Sequence, residues 1–307
     1  MLRLLTCFTV FAAIHGGFSK TLLEQSCQYE HIGDQCLFFA NFAEEPQENA
    51  IAWCNGLGGR LVKIKTATQM KNIAQYLLAS NSTYSGSFWV DGSDAAQEDV
   101  WVYSSGELMP FGTPFWGATS FQRQPSHNGN CATINEDIFY YINDQDCDDL
   151  AYTLCEMPFT FQQKDAESEN IVCPPPYQPF GSMCLTIETQ EIVSWEEGLL
   201  LCQLLSGSLA FVNDVETLRD IYMYLHQEGL EDYSFWLGGS EIAHEGYWTW
   251  NDGSPVPMGT PFWGLETWST QEPNVDSGNC LGLQASGWHY FRDVPCHTSQ
   301  YPICMPL

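Results

Sequence analysis

Positive charge is scarce in this chain. Its 307 residues include 10 lysines and arginines against 38 aspartates and glutamates, which makes the formal net charge −28 at pH 7. Such an acidic surface repels nucleic acids, anionic membranes and sulfated polysaccharides. Neutral glycans, cations or a basic protein remain as partners.

Long apolar runs are also lacking. The only one, Leu4 to Ile14, is about as long as the apolar core of a signal peptide and is followed by small residues up to Ser19. We predict a signal peptide over residues 1–19, with a membrane anchor as the alternative, and a secreted, extracellular protein without membrane insertion. The sequon that starts at Asn81 is a candidate glycosylation site, which suits that location.

The cysteines indicate two similar units in an oxidising compartment. The chain has 13 cysteines, and Cys7 lies in the predicted leader, so an even number remains for pairing. The first set has steps of 9, 18, 77, 16 and 8 residues, and the second has steps of 11, 18, 78, 16 and 8. The first set is Cys27, Cys36, Cys54, Cys131, Cys147 and Cys155, and the second is Cys173, Cys184, Cys202, Cys280, Cys296 and Cys304.

The text between the cysteines repeats as well. "FWVDGSDAAQEDVW" from Phe88 is matched by "FWLGGSEIAHEGYW" from Phe235, and "GTPFWG" occurs at Gly112 and Gly259, 147 residues apart in both cases. A period this long indicates two complete domains that arose by duplication. A polar segment without cysteine separates them. The predicted division is 24–158 for the first domain, 159–171 for the linker and 172–307 for the second domain.

Each unit has the pattern of an α+β domain. Its first third has helical spacing and is followed by an aromatic region rich in glycine and proline, which favours strands joined by long loops. In the second unit, Asp214 is a predicted helix N-cap. The apolar positions of the predicted helices are Ala50, Ile51, Trp53 and Cys54; Met70, Ile73, Tyr76 and Leu77; Trp195, Leu199, Leu200 and Cys202; and Leu218, Ile221 and Leu225.

These features together resemble the long form of the C-type lectin domain. The resemblance is carried by the six-cysteine pattern, the helical first third, the aromatic-Trp-aliphatic-x-Gly start of "FWVDGS" and "FWLGGS", and a proline triplet before the fourth cysteine. It covers about residues 24–307, and the tandem arrangement with "GTPFWG" is most similar to secreted dual-domain lectins of arthropods. It implies two tandem long-form domains, each with two helices, small antiparallel sheets, long loops and three disulfides.

The resemblance also implies which cysteines pair, since spacing alone leaves 15 pairings open for six cysteines. Each bridge typically contributes roughly 2 to 4 kcal/mol. The implied bridges are Cys27–Cys36, Cys54–Cys155, Cys131–Cys147, Cys173–Cys184, Cys202–Cys304 and Cys280–Cys296.

The proline triplet of the second unit runs from Glu272 to Asn274. In the family this proline is cis, the flanking oxygens bind calcium, and the metal and the same side chains bind two sugar hydroxyls. Calcium takes about 6 to 8 oxygen ligands, preferably including carboxylates. The triplet resembles the one associated with mannose or glucose; the alternative is an ordinary proline turn in an acidic loop.

The rest of that site departs from the family. The family has an Asn-Asp pair where this chain has Arg292 and Asp293, and a guanidinium has no lone pair to offer a metal. Gly278 stands where the family has a further acid, for which Asp276 is a candidate substitute. We predict that Arg292 pairs with Glu272 or Asp293 and takes the metal's electrostatic role. The alternative is that it points to solvent.

The first unit departs in the opposite way. It keeps the pair as Asn143-Asp144, with Asp146 close by, but its triplet "QPS" places Gln124 and Ser126 around the proline. A glutamine first resembles the family's galactose-type triplet, whereas the serine and Gly129 weaken the ligand set. We therefore expect a weak calcium site here, and each domain keeps about half of a family site.

Side chains around the triplets add further candidates. His127 and Arg123 border the first triplet and could contact a ligand or be solvated. Four aromatic residues precede the triplets, namely Trp116, Phe121, Trp263 and Trp268, and the best candidates for sugar stacking are Phe121 and Trp268. The full set of carbohydrate-binding candidates is Gln124, Ser126, Asn143, Asp144, Glu272, Asn274, Asp293 and Trp268. The calcium candidates are Gln124, Asn143, Asp144, Glu272, Asn274 and Asp293.

Catalytic motifs are lacking. The "HEGYW" segment at His244 lacks the second histidine of a zinc-binding helix, and the chain has neither a serine elbow nor a phosphate-binding loop. Complete pairing of the mature cysteines leaves no thiol nucleophile. We predict that the protein is not an enzyme.

Taken with the resemblance, these features predict a secreted carbohydrate-binding lectin that depends on calcium in at least one domain. The resemblance implies a role in innate immunity, in which the protein binds neutral sugars on microbial surfaces and thereby agglutinates or opsonises microbes. Two linked domains would give avidity gains of about 100-fold or more. The alternative is a protein-binding module on the same fold with degenerate, calcium-independent sites.

Overall fold

The computed structural model describes residues 27–79, 83–159, 171–274 and 278–307. Several predicted features lie outside the described residues. These are the signal peptide over 1–19, residues 160–170 of the linker, the candidate glycosylation site Asn81 and the candidate ligand Asp276.

The described residues of the first domain form two helices and seven strands. Its elements are β1 (Glu30–Ile32), β2 (Gln35–Glu45), α1 (Gln47–Gly56), β3 (Arg60–Leu61), α2 (Ala67–Ala79), β4 (Phe88–Ser93), β5 (Cys131–Asn135), a 3-10 turn (Glu136–Ile138), β6 (Tyr141–Gln145) and β7 (Ala151–Glu156). The strands form one sheet in the order β1-β2-β7-β4-β5-β6, and β3 pairs with β7. All pairings are antiparallel except that of β4 with β7.

The second domain repeats this plan. Its elements are β8 (Gln178–Phe180), β9 (Met183–Ile187), α3 (Trp195–Leu204), β10 (Gly207–Leu209), α4 (Val215–Gln227), β11 (Phe235–Ser240), β12 (Thr249–Trp250), β13 (Leu265–Thr267), β14 (Thr270–Gln271), β15 (Cys280–Leu283), a 3-10 turn (Ala285–Gly287), β16 (Phe291–Val294) and β17 (Tyr301–Pro306). The main sheet has the order β16-β15-β11-β17-β9-β8, and β13 pairs with β14 separately. Here β11 and β17 form the parallel pair.

The two helices of the second domain begin where the local sequence indicates. Asp214 caps α4 by accepting hydrogen bonds from the backbone N–H groups of Glu216 and Thr217, as predicted. Ser194 and Glu197 form a reciprocal capping box at the start of α3. Both α2 and α4 bury one apolar stripe, so the periodicity seen in the sequence reports the packed face.

All six disulfides implied by the family resemblance are present. Cys54–Cys155 ties α1 to β7, and Cys202–Cys304 ties α3 to β17, so each long bridge joins a helix to the centre of its sheet. Cys131–Cys147 and Cys280–Cys296 hold the strand that follows each proline triplet. The bridges therefore fix the frame on which both candidate sites are built.

The two domains pack against each other through a reciprocal interface. The hydroxyl of Tyr141 donates to the carbonyl of Trp263 at 2.6 Å, and the hydroxyl of Tyr290 donates to the carbonyl of Trp116 at 2.7 Å. The two tyrosine rings lie 5.2 Å apart, edge to face. Since Tyr141 corresponds to Tyr290 and Trp116 to Trp263, the contacts are related by a pseudo-two-fold axis.

The threonines of the two "GTPFWG" segments add a second reciprocal pair. Thr113 donates through its hydroxyl to the carbonyl of Trp288, and Thr260 donates to the carbonyl of Phe139 at 2.9 Å. One group of buried apolar residues runs through both domains. The repeated motif is therefore an interface element, and the domains form one packed unit.

No helix of the described segments is both long and apolar enough to span a membrane.

Candidate functional site

The triplet of the second domain follows β14 directly. Its Glu272–Pro273 bond is cis, as the family resemblance implies. The Asn274 side-chain amide donates to Glu272 Oε2 at 2.9 Å, so the two side chains on either side of the proline converge. Glu272 is buried, which places a carboxylate inside the loop.

Arg292 occupies the centre of this oxygen-rich cluster. It lies on β16, is only 6 % exposed, and donates from Nε to Glu272 Oε1 at 3.1 Å and from Nη2 to the same oxygen. Nη2 also donates to the carbonyl of Leu265 at 3.0 Å, and Nη1 donates to the hydroxyl of Ser120 in the first domain. The predicted pairing with Glu272 is confirmed, and the alternative of a solvated arginine is wrong.

Asp293 follows Arg292 on the strand and is also buried. Its two carboxyl oxygens are closed off from solvent. Burial in the first place, and then the neighbouring Glu272 carboxyl, raise the pKa of Asp293 to about 8. With a guanidinium already bound to Glu272, these residues do not fit a calcium ion, because the cation's place and charge are taken by the arginine.

The corresponding loop of the first domain is built around Asp144. Its carboxylate accepts hydrogen bonds from the backbone N–H groups of Ser126 at 2.8 Å and Asn128 at 2.9 Å, and from the Ser126 hydroxyl at 3.1 Å. The Gln124–Pro125 bond is cis here too. Ser126, a carbohydrate-binding candidate, thus already uses its hydroxyl on Asp144.

The donor set of the first domain suits a cation better. Gln124 is buried, and its Oε1 has no hydrogen-bond partner among the described residues. Asn143 is half-buried and donates from its amide nitrogen to the carbonyl of Asp144 at 2.7 Å. A neutral amide thus stands where the second domain has a guanidinium. Gln124, Asn143 and Asp144 are the residues whose oxygens would hold calcium.

Neither domain has room for the family's further acid. A Cβ atom built on Gly129 would lie 2.0 Å from the carbonyl carbon of Gln145, and one built on Gly278 would lie 2.1 Å from the carbonyl carbon of Val294. Both contacts are with backbone, so neither can give way to a side chain. The absence of this acid is a packing feature shared by both domains.

The basic residues beside the first triplet already have protein partners. His127 Nδ1 lies 3.1 Å from Glu98 Oε1 and 3.3 Å from Asp99 Oδ1 on the exposed surface, and the hydrogen bond to Glu98 raises its pKa. Arg123 donates to the carbonyl of Ala285 at 3.2 Å, and its guanidinium carbon lies 5.4 Å from the Trp288 ring centroid. Arg123 is thus a domain-interface residue.

The four candidate aromatic residues separate into two classes. Trp116 and Trp263 are fully buried, so their consideration as sugar contacts is wrong: their rings pack against Trp101 and Trp248 of their own domains. Phe121 is 95 % exposed. Trp268 is half-buried, and its Nε1 donates to Gln122 Oε1 of the first domain at 2.6 Å.

Sequence reasoning missed the residues that join the two loops. Ser120 and Gln122 of the first domain bond to Arg292 and Trp268 of the second, and no local motif marks them. The available signals were the repeated "GTPFWG" segment and the rarity of arginine in the second half of the chain.

The chain matches the family model "Lectin C-type domain" twice, over residues 43–157 and 191–306. The chain belongs to the C-type lectin domain family. Domains of this family are generally non-enzymatic carbohydrate-binding modules. The prediction of two tandem C-type lectin domains with mixed α+β structure is thereby confirmed.

Curated relatives include proteins of fish and mammals. The type-2 ice-structuring protein of Hemitripterus americanus is 29% identical over 133 residues, covering 43% of this chain and 73% of the relative. The human C-type lectin domain family 17, member A is 28% identical over 139 residues, 45% of this chain and 33% of the relative. The mouse CD209 antigen-like protein C is 29% identical over 112 residues, covering 36% of this chain and 57% of the relative. The chain thus spans a third to three quarters of these proteins.

Solved structures match one domain's length of the chain. The mouse scavenger receptor C-type lectin carbohydrate-recognition domain is 28% identical with a TM-score of 0.35, covering 43% of this chain and 94% of that one. A calcium-independent type II antifreeze protein is 27% identical with a TM-score of 0.35, and the match covers 43% of this chain and 92% of that one.

Proposed function

We propose that this protein is a secreted lectin that binds neutral glycans, with one calcium ion held by the first domain and a metal-free second domain. The observation that carries the proposal is the contrast at one strand position. Asn143 places a neutral amide at this position in the first domain, whereas Arg292 places a guanidinium that binds Glu272 at the matching position in the second.

Family membership and surface chemistry support the glycan as ligand. The family consists generally of carbohydrate-binding modules, and residues of both proline triplets line surface depressions. The net charge of −28 disfavours polyanions, which leaves neutral sugars. Recognition of microbial surfaces in innate immunity, and a kinship with arthropod dual-domain lectins, are parts of the proposal that rest on the sequence resemblance alone.

A protein-binding module remains the second candidate. It is favoured by the internal neutralisation of Glu272 by Arg292, since a side chain that is fully engaged within the protein is less available to a sugar. This candidate predicts neither a calcium requirement nor binding to glycans.

Calcium titration by calorimetry on the full chain tests the proposal. We expect one calcium per chain, lost in Asp144→Asn and retained in Asp148→Asn, which makes the same charge change at an exposed position close by. Binding to an array of neutral glycans should then fall on chelation of calcium. Calcium binding that survives Asp144→Asn would exclude the first-domain site, and a chain that binds no glycan would favour the protein-binding candidate.

A further inference from the structure

We propose that the two candidate sites form one groove that binds a single neutral oligosaccharide across both domains. This inference rests on the proposed lectin function. It replaces two separately acting sites with one composite site whose walls come from both halves of the chain.

The two depressions at the triplets adjoin each other. One, of about 640 Å³, is lined by the first-domain triplet together with Trp268. The other, of about 300 Å³, is lined by Glu272 and Arg292. Ser120 and Phe121 of the first domain and Ser286 of the second line both depressions. Because the same three residues line both, the two depressions are neighbours on the surface, and one extended ligand can reach both.

Hydrogen bonds across the domain interface hold this groove in shape. Ser120 accepts from Arg292, Gln122 accepts from Trp268 at 2.6 Å, and Arg123 donates to the carbonyl of Ala285 at 3.2 Å. The three first-domain residues lie within positions 120–123, in the turn that also carries Phe121. The spacing between the two half-sites is therefore set before a ligand arrives, which reduces the entropy cost of binding a long one.

The chemistry of the groove suits a chain of neutral sugars. Phe121 presents an almost fully exposed ring, and Trp268 lies in the same depression with its indole nitrogen already bonded. Aromatic faces contact apolar faces of a ligand, and the hydroxyl and amide groups of Ser120, Ser286 and Asn128 can exchange hydrogen bonds with its hydroxyls.

Other classes of ligand fit less well. The charge of Arg292 is matched by Glu272 inside the protein, which leaves little net attraction for an anion. A protein partner usually covers about 800 Å² on each side around a buried apolar centre. In this groove, Phe121 and the half-buried Trp268 are two rings among polar side chains, which is too small an apolar centre for that purpose.

The test uses the full chain and three homologous series of neutral oligosaccharides, of mannose, glucose and galactose, each from one to six sugars. Within any series that binds, affinity should rise at least about tenfold from the shortest to the longest member, since the longer chain engages both half-sites. Phe121→Ala should remove most of this gain. Phe42→Ala, which removes an exposed phenylalanine from β2, should leave it unchanged.

The possible results separate the two proposals. Binding that does not depend on length, or a length gain that survives Phe121→Ala, would overturn the composite groove and leave the lectin function standing. Failure of every member of all three series to bind would contradict the lectin function itself. Because Phe121 is 95 % exposed, its removal is not expected to disturb folding. A circular dichroism spectrum of the variant that matches the wild-type spectrum checks this.

Discussion

The loops at the two proline triplets share a backbone plan and differ in their charges. Asn143 pairs with Thr133 across β5 and β6, and Arg292 pairs with Gly282 across β15 and β16, at the same register. The first loop keeps an amide there, whereas the second brings in a guanidinium that binds Glu272. A single strand position thus distinguishes the two oxygen clusters, with a neutral amide in the first and a guanidinium paired with Glu272 in the second.

The arginine comes with a change in its surroundings. Gly287 beside Arg292 corresponds to Ile138 of the first domain, and a Cβ atom on Gly287 would lie only 3.1 Å from Arg292 Nη1. The second domain has therefore made room for the guanidinium. Because the second domain supplies both an ion-pair partner and the space for the side chain, Arg292 belongs to the packed structure of this domain.

The largest expected effect comes from making the two loops alike. Arg292→Asn restores the family's Asn-Asp pair next to Glu272 and Asn274, so we expect calorimetry to detect a second calcium per chain. Arg60→Asn, which removes an exposed arginine, is the control and should leave the stoichiometry at one. A variant that still binds only one calcium would show that more than the arginine separates the two loops.

Removing the guanidinium without a replacement should weaken the fold. Arg292→Ala leaves the Glu272 carboxylate buried and unpaired, which is expected to lower the free energy of unfolding by about 3 to 5 kcal/mol. Arg60→Ala breaks an exposed ion pair with Glu156 and should cost roughly 0 to 1 kcal/mol. Urea unfolding measures both, and adding Glu272→Gln to Arg292→Ala should recover part of the loss. Equal effects of the two arginines would contradict the role assigned to Arg292.

A smaller effect on stability is expected at acidic pH, from a residue in which the two domains differ. Burial lowers the pKa of His289 from 6.5 to about 4, whereas the equivalent residue of the first domain is Tyr140, which stays neutral in this range. His289 Nε2 lies 2.9 Å from the carbonyl oxygen of Tyr233, and Nδ1 is buried without a partner among the described residues. Protonation is opposed mainly by burial and also by the nearby His226 and Arg123, whereas the hydrogen bond to the Tyr233 carbonyl favours it.

The pKa of His289 is lower in the folded than in the unfolded protein. The free energy of unfolding is therefore fully retained above pH 6.5 and decreases as the pH falls toward 4, because the unfolded chain binds the proton more tightly. The loss amounts to at most about 3 kcal/mol. In His289→Gln, urea unfolding measured between pH 7 and 4 should show a correspondingly smaller decrease. The exposed His244→Gln serves as the control. An unchanged pH profile for His289→Gln would exclude this residue as the cause.

Much of the fold could be predicted from the sequence because its signals are local. The helices follow from apolar spacing within a few turns, the Asp214 cap from one side chain before an apolar stripe, and the duplication from two matching series of cysteine steps. The Arg292–Glu272 pair could be predicted only as an alternative to pairing with Asp293 or exposure to solvent, because Arg292 is one of two cations after Lys164 and stands near several acids.

The disulfide pairing needed the family resemblance, and the domain interface needed the structure. Tyr141 and Trp263 are 122 residues apart, and Ser120 and Arg292 are 172 apart, so no pattern along the chain links them. The closed space at Gly129 and the exposure of Phe121 likewise depend on where distant backbone comes to lie.

The sequence by itself therefore determined the two α+β domains, their helices and the oxygen-bearing residues at each triplet. Only the tertiary structure decided that the "GTPFWG" segments form a reciprocal interface, that Arg292 closes one cluster, and that both loops border one groove. The physical reason is that periodicity and capping act over a few residues, whereas burial and charge neutralisation depend on surfaces that meet only when the chain is folded.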